Sequence, residues 1–409
     1  MNRTRLLIVA ATSTLASSVP SWGAEFPLGK DSSLTIAGLV AVGVKSSQVT
    51  DVQPTDTRKP TTELKVTDNT SRLIIGGKTE LMKGWRAFFN IESRFLTNAQ
   101  PIDPQMPGLP ASMSQYTCGN GTGWANGDTF VGISSPYGSL AFGKATMYTS
   151  DGQAMDYFGL NGPGEGYRAW DGNALAGFNL LDNVSSVVKV GSVTAAGLSL
   201  ATLGIDRSQN VIRYETPLLK GFKVTAGFTK NNNGAQNLAG ESYFGRPYES
   251  GGTSWGRVTY NKAAFTAFAS VLNQVVQGGK NQSTTAIMLN ALGYGALFQG
   301  PMDTHAYRFG AGYKLRGFKF GFVYDHTAVE NGIVGTKLTA ARSATQIPLS
   351  YEWADHRVYF TYTKAGNTTN LDRTGAAQYN FGYDYALNKK TFVGIFYTTL
   401  NNDANSNYS

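Results

Sequence analysis

The chain has 409 residues, 12% of them aromatic and 15% charged, with 48 glycines, 3 histidines and a single cysteine, Cys118. One cysteine excludes an intramolecular disulfide, and three scattered histidines (His305, His326, His356) exclude a Cys/His metal cluster. The net charge is +8, but the charges are scattered singly along the strands, with no basic block or zinc-finger spacing, so no nucleic-acid partner is expected.

Residues 1–23 read as a signal peptide. Arg3 and Arg5 form a basic start, Leu6 to Ala11 a short apolar core, and Ser21 and Gly23 a small-x-small exit before Ala24. The competing reading, a buried N-terminal helix, is opposed by the helix breaker Pro20. Beyond this segment no run approaches the ~20 apolar residues of a membrane helix. A barrel strand needs only ~10 alternating residues and escapes hydropathy altogether.

The pattern that follows has period two. Phe222, Val224, Ala226 and Phe228 alternate with Lys223, Thr225, Gly227 and Thr229. Tyr307, Phe309, Ala311 and Tyr313 alternate with Arg308, Gly310, Gly312 and Lys314, and Phe318, Phe320, Phe322 and Tyr324 with Lys319, Gly321, Val323 and Asp325. Tyr379, Phe381, Tyr383 and Tyr385 alternate with Gln378, Asn380, Gly382 and Asp384. Such alternation marks strands with two unlike faces. Short turns at Met82–Gly84, Pro136–Gly138, Pro217–Gly221, Asn261–Lys262, Leu315–Gly317, Ala354–His356 and Asn388–Lys389 take turns with longer polar stretches at 48–69, 97–126, 147–208, 230–252, 274–303, 328–345 and 366–375. A soluble sandwich has no reason to collect its long loops at one end; a transmembrane barrel does. The expected fold is therefore all-β, a transmembrane antiparallel β-barrel over 24–409. The count gives fifteen strands, from Ser33–Ser47 to Lys390–Leu400. An even-numbered ring implies a 16-stranded plan with its last strand missing from the sequence.

The chain resembles the general porins of Gram-negative bacteria, the trimeric sixteen-stranded type common in β-proteobacteria. The resemblance rests on Ser33–Gly38, on Ser71–Gly77 with Glu80-Leu81, and on Gly84–Ser93. It continues through Phe130–Ser135, Tyr137–Lys144 and Tyr383–Thr391, in order over nearly the whole mature chain. It departs at Ala41, where the family usually carries Asp, at Gly76, where it often has Arg, and in lacking a final strand with a terminal aromatic. The resemblance implies an outer-membrane homotrimer, embedded in lipid, through which small hydrophilic solutes diffuse passively, without a cofactor. It also implies a third external loop, here 147–208, folded inward as the constriction. That loop carries Asp151, Asp156, Glu165 and Asp171, and its apolar stretch Val187 to Leu203 could form an extra hairpin.

Parity places a basic wall opposite: Arg72 and Lys78 on the second strand, Arg94 on the third, with Arg86 nearer a short turn. Carboxylates facing guanidiniums across a narrow pore create a transverse field that favours dipolar solutes. Lumen-facing bases (adding Arg213, Lys223, Arg308, Lys314, Lys319 and Arg357) outnumber the acids Glu80, Glu92, Glu215, Asp325 and Asp384, which predicts an anion preference. The alternatives are a substrate-specific channel, an adhesin, or a barrel enzyme. For an enzyme the adjacent pair Asp325-His326 is the candidate, though adjacency does not make a catalytic geometry and no enzyme is expected.

Overall fold

The computed structural model describes residues 4–12, 24–40, 42–49, 62–68, 71–94, 125, 127–146, 148, 180–190, 193–199, 207–230, 251–276, 302–333, 336–369, 372–388, 391–404 and 406. The strands are β1 (Thr4–Thr12), β2 (Ala24–Pro27), β3 (Ser32–Leu39), β4 (Val42–Val49), β5 (Thr62–Asp68), β6 (Arg72–Met82) and β7 (Trp85–Arg94). They continue as β8 (Thr129–Ser135), β9 (Gly138–Thr146), β10 (Asn183–Val190), β11 (Val193–Ser199), β12 (Arg207–Glu215), β13 (Phe222–Lys230) and β14 (Gly251–Lys262). The remainder are β15 (Phe265–Val276), β16 (Met302–Leu315), β17 (Phe318–Ile333), β18 (Thr336–Trp353), β19 (His356–Ala365), β20 (Ala376–Asn388) and β21 (Thr391–Asn402).

Every pairing is antiparallel. Because β3 pairs with β6 and β4 with β5, β3–β4 is one continuous span and β5–β6 the next. From there each strand pairs with its successor through β9, β9 pairs with β12, and the succession runs on to β21. That gives the fifteen spans expected. The sixteenth place, between β21 and the first span, is taken by β1, paired to both β21 and β4, and by β2, paired to β3. β1 lies within the segment read as a signal peptide. In lipid an unpaired edge would strand backbone donors and acceptors at several kcal/mol each, so a filled place is what the geometry demands.

One expected loop is different. Residues 328–333 and 336–345 belong to two paired strands, β17 and β18, matched from Phe318↔Tyr351 up to Ile333↔Thr336. Their polar composition signals strands that stand clear of the hydrocarbon zone, where no apolar face is required. Pro348 lies within β18, and the β17–β18 ladder is interrupted beside it between Leu349 and Gln346, as a missing N–H requires. The stretch 366–375 is compact: Thr374 and Gly375 donate backbone N–H groups to the Asn367 side chain, and Thr369 N–H donates to the Ala341 carbonyl. Within 147–208, β10 and β11 form the extra hairpin, a separate two-stranded sheet.

Polarity is inverted relative to a soluble domain. Arg308 and Arg342 are among the largest fully buried side chains, in company with Thr229, Thr304, Asp325, Gln346 and Asn380. Phe309, Phe318, Phe320 and Phe322 are each more than 40% exposed on the outside of the ring. Inward aromatics lie over glycines directly opposite on the next strand: Trp255 over Gly227 and Tyr359 over Gly382, where an added Cβ would collide with the ring. Glycine there lets a large ring lie flat on the wall. Phe309→Arg, placed on the outer face well away from either end of β16, is expected to cost about 2–4 kcal/mol in denaturant titrations of the protein refolded into lipid vesicles. Phe309→Leu, which keeps the lipid contact apolar, should cost much less.

Candidate functional site

The lumen is built from the inward positions of β6–β9 and β12–β21. Cross-strand register decides which charges meet. Arg308 and Asp325 are directly opposite on β16 and β17 and close to 2.8 Å with both side chains buried. Arg357 on β19 and Asp384 on β20 are likewise opposite and ion-paired. Arg72 on β6, directly opposite Arg94, reaches diagonally to Glu92 on β7 at 3.2 Å. Toward the short-turn end, Arg213 and Lys223 both hold Glu215, Lys319 pairs with Glu352 at 2.9 Å, and Lys78 pairs with Glu25 at 2.9 Å.

The third long connection meets this wall at two points. Tyr148, just past β9, is fully buried, and its hydroxyl donates to Asp325 Oδ2 at 2.9 Å, across 177 residues of sequence. Arg308 stacks its guanidinium 5.1 Å from the Tyr148 ring, and Thr327 donates to the other Asp325 oxygen at 3.0 Å. Arg257 on β14 donates to the Tyr148 carbonyl at 3.0 Å and to Ser270 Oγ at 2.9 Å. The second point is the 3-10 turn Leu180–Asp182. Arg342 on β18 donates to the Leu180 and Leu181 carbonyls at 2.9 and 3.0 Å, and Gln378 on β20 accepts from Leu180 N–H at 3.2 Å. Leu180 and Leu181 are fully buried. The arginines of β14, β16 and β18 thus clasp the connection at Tyr148 and at Leu180–Leu181 from inside the ring.

The residues named from sequence are distributed unevenly. Arg72 is inward, buried and engaged with Glu92. Lys78 is on the same face but half-exposed, near the turn that follows β6, with Glu25 as its partner. Arg94 is opposite Arg72 in the ladder; its side chain, and Asp151, Asp156, Glu165 and Asp171, lie outside the described residues. Asp325 and His326 point to opposite faces. Asp325 turns inward to Arg308, while His326 Nδ1 is outward, 3.0 Å from Ser343 Oγ. Arg257 and Arg342 were missed. Arg342 fell in the stretch read as a loop, and the strand holding Arg257 was not read by parity. The alternation Arg342, Ala344, Gln346 against Ser343, Thr345, Ile347 was the available signal.

A sheet of antiparallel strands, each paired to the next, with a charged interior and an aromatic exterior has few interpretations, and a profile of the Gram-negative porin family matches residues 4–405. The chain belongs to the Gram-negative porin family. Among solved structures it is similar to the anion-selective porin from Comamonas acidovorans, at 14% identity and a TM-score of 0.53, covering 91% of this chain and 99% of that one. It is also similar to the trimer form of OmpT, an outer membrane protein of Vibrio cholerae, at 10% identity and a TM-score of 0.52, with the same coverage. Comparison with curated protein sequences finds no match. The protein is thus an outer-membrane porin, a water-filled channel for passive diffusion of small hydrophilic solutes. Family and fold point to a channel rather than an enzyme. In this porin the Arg308–Asp325 pair is a buried anchor. Asp325→Ala, which strands Arg308 and frees Tyr148, should cost about 3–5 kcal/mol in unfolding titrations, whereas replacing both partners by apolar residues should cost less than the single change.

Proposed function

We propose that this porin prefers anions, that 147–208 is its constriction loop, and that it works as a homotrimer without enzymatic activity. One observation carries the preference. Glu92, Glu215, Asp325 and Asp384 are each held by a cation, Glu215 by two. Arg257 and Arg342 add further cations whose contacts named above are carbonyl and hydroxyl oxygens. A wall in which these four carboxylates each meet a cation, and to which Arg257 and Arg342 add positive charge, supports a positive field in the channel, and charged pore linings select ions of opposite sign. The anion selectivity of the Comamonas acidovorans porin and the trimer form of OmpT agree with this reading.

Within it, Arg72 and Arg94, opposite one another on β6 and β7, form the basic wall facing the loop, and Lys78 guards the inner mouth. Asp151, Asp156, Glu165 and Asp171 are the carboxylates facing them and moderate the preference. Residues 1–23, β1 among them, are removed as the signal peptide, leaving Ala24 at the mature N-terminus and β2 against β3. Reversal potentials in a KCl gradient across planar bilayers test the central point: chloride should permeate more readily than potassium. Arg257→Gln with Arg342→Gln should lower the ratio several-fold. A cation preference in the unaltered protein would refute the proposal, and saturable, solute-blocked currents would favour a substrate-specific channel instead.

A further inference from the structure

The periplasmic rim carries a charge pattern that diffusion through the lumen does not use. On three consecutive short turns a cation stands at or beside the tip: Lys220 between β12 and β13, Lys262 at the end of β14, and Arg316 between β16 and β17. All three are exposed, and none makes an ion pair among the described residues. Lys30 and Lys83 repeat the arrangement on two neighbouring turns, and Asp31 and Asp355 are the exposed acids of the short turns. The long connections at the opposite end carry more carboxylates than cations, so the bias belongs to this rim.

Just inside the arc runs an outward aromatic belt. Phe222 contacts Tyr260 at 4.5 Å between ring centroids, Tyr260 contacts Phe265 at 6.1 Å, and Tyr313 contacts Phe320 at 6.0 Å. Phe265 and Tyr313 are directly opposite in the ladder, which joins the two halves. Aromatic belts sit at headgroup level, so cations placed one step beyond them are at the depth of the lipid phosphates. The apolar side chains beside each cation, Leu218 and Leu219 at Lys220 and Leu315 and Phe318 at Arg316, are exposed toward the bilayer. That combination suits an amphiphile with an anionic head; a soluble polymer would leave the apolar half uncovered.

We infer that the arc Lys220, Lys262 and Arg316, beneath the belt Phe222–Tyr260–Phe265–Tyr313, binds the headgroups of anionic phospholipids in the periplasmic leaflet. Each cation close to an anionic headgroup raises affinity about five-fold, and salt erodes the gain.

Native mass spectrometry of the full folded protein, presented with dioleoyl phosphatidylglycerol or dioleoyl phosphatidylcholine, tests this. The unaltered protein should retain phosphatidylglycerol at least about five-fold better. K220Q/K262Q/R316Q should lose the preference while keeping its single-channel conductance, since none of the three lines the lumen. K220R/K262R should keep it. No preference in the unaltered protein overturns the inference, as does a preference that survives the triple substitution. Should the triple variant fail to insert, raising the salt with the unaltered protein decides the matter, because a preference insensitive to salt also overturns the assignment. Co-sedimentation with peptidoglycan, lysine-dependent and without any lipid preference, would overturn it in favour of the cell wall.

Discussion

Backbone hydrogen bonding in a solvent that cannot supply it is the constraint from which the rest follows. Inside hydrocarbon each strand must satisfy its N–H and C=O groups on both neighbours, so the sheet has to close on itself. Closure fixes one face of every strand outward and the next residue inward, and the polarity of the side chains has to obey. This is why Arg308 and Arg342 are fully buried while Phe309, Phe318, Phe320 and Phe322 stand exposed on the outer face. It is also why β1 and β2 lie in the place between the first and last spans. The lower part of that place, β2, pairs with β3 through Ala24–Pro27.

Closure also explains how the charges pair. In an antiparallel ladder the residue facing position i is fixed by register, so an ion pair needs no loop and little search once the turn is set. Arg308 meets Asp325 because Arg316 and Gly317 adopt the positive-φ geometry of a tight hairpin turn between them. Arg357 meets Asp384 across β19 and β20 by the same logic. The registers that set like charges opposite are equally informative. Arg72 faces Arg94, and Lys314 faces Lys319. Arg72 and Lys319 each lean instead to a carboxylate, Glu92 and Glu352. Such frustrated pairs cost stability unless a nearby acid relieves them, and they concentrate positive potential where an anion would pass.

Most of the fold was legible because the period-two signal is a direct consequence of that inversion, and turn residues punctuate it. Fifteen spans and seven short turns could be read from alternation and from Gly, Pro and Asn at the turns. The exception, 328–345, was lost because its outward positions are themselves polar, so the alternation lacks the contrast of an apolar face. The same blindness hid Arg342. Side-chain partners were less legible than faces. Parity says that Asp325 points inward, but not that Tyr148, 177 residues earlier, supplies the hydroxyl it accepts from. Contacts between a wall and a loop depend on where the loop lands, and nothing local in either segment encodes it. Asp325-His326 shows the opposite error that sequence adjacency invites, since neighbours on a strand are on opposite sides of the sheet.

The wall's arginines therefore serve two ends with one set of atoms. Arg308 neutralises Asp325 and stacks on Tyr148, and Arg342 spends its two terminal nitrogens on the Leu180 and Leu181 carbonyls. A guanidinium suits this because its five donors are spread over a plane, so it can hold a backbone carbonyl along one edge while its charge still acts on the channel. Lysine could supply the charge but not the fork. The loop is then positioned by the same groups that set the field it sits in. A change at Arg342 shifts the loop and the potential together, whereas a change at Lys78, on the rim with Glu25, shifts potential alone. Under the proposed anion preference, the positive charge is distributed between a structural role deep in the ring and a steering role at its mouth, and the two are separable by position along the strand.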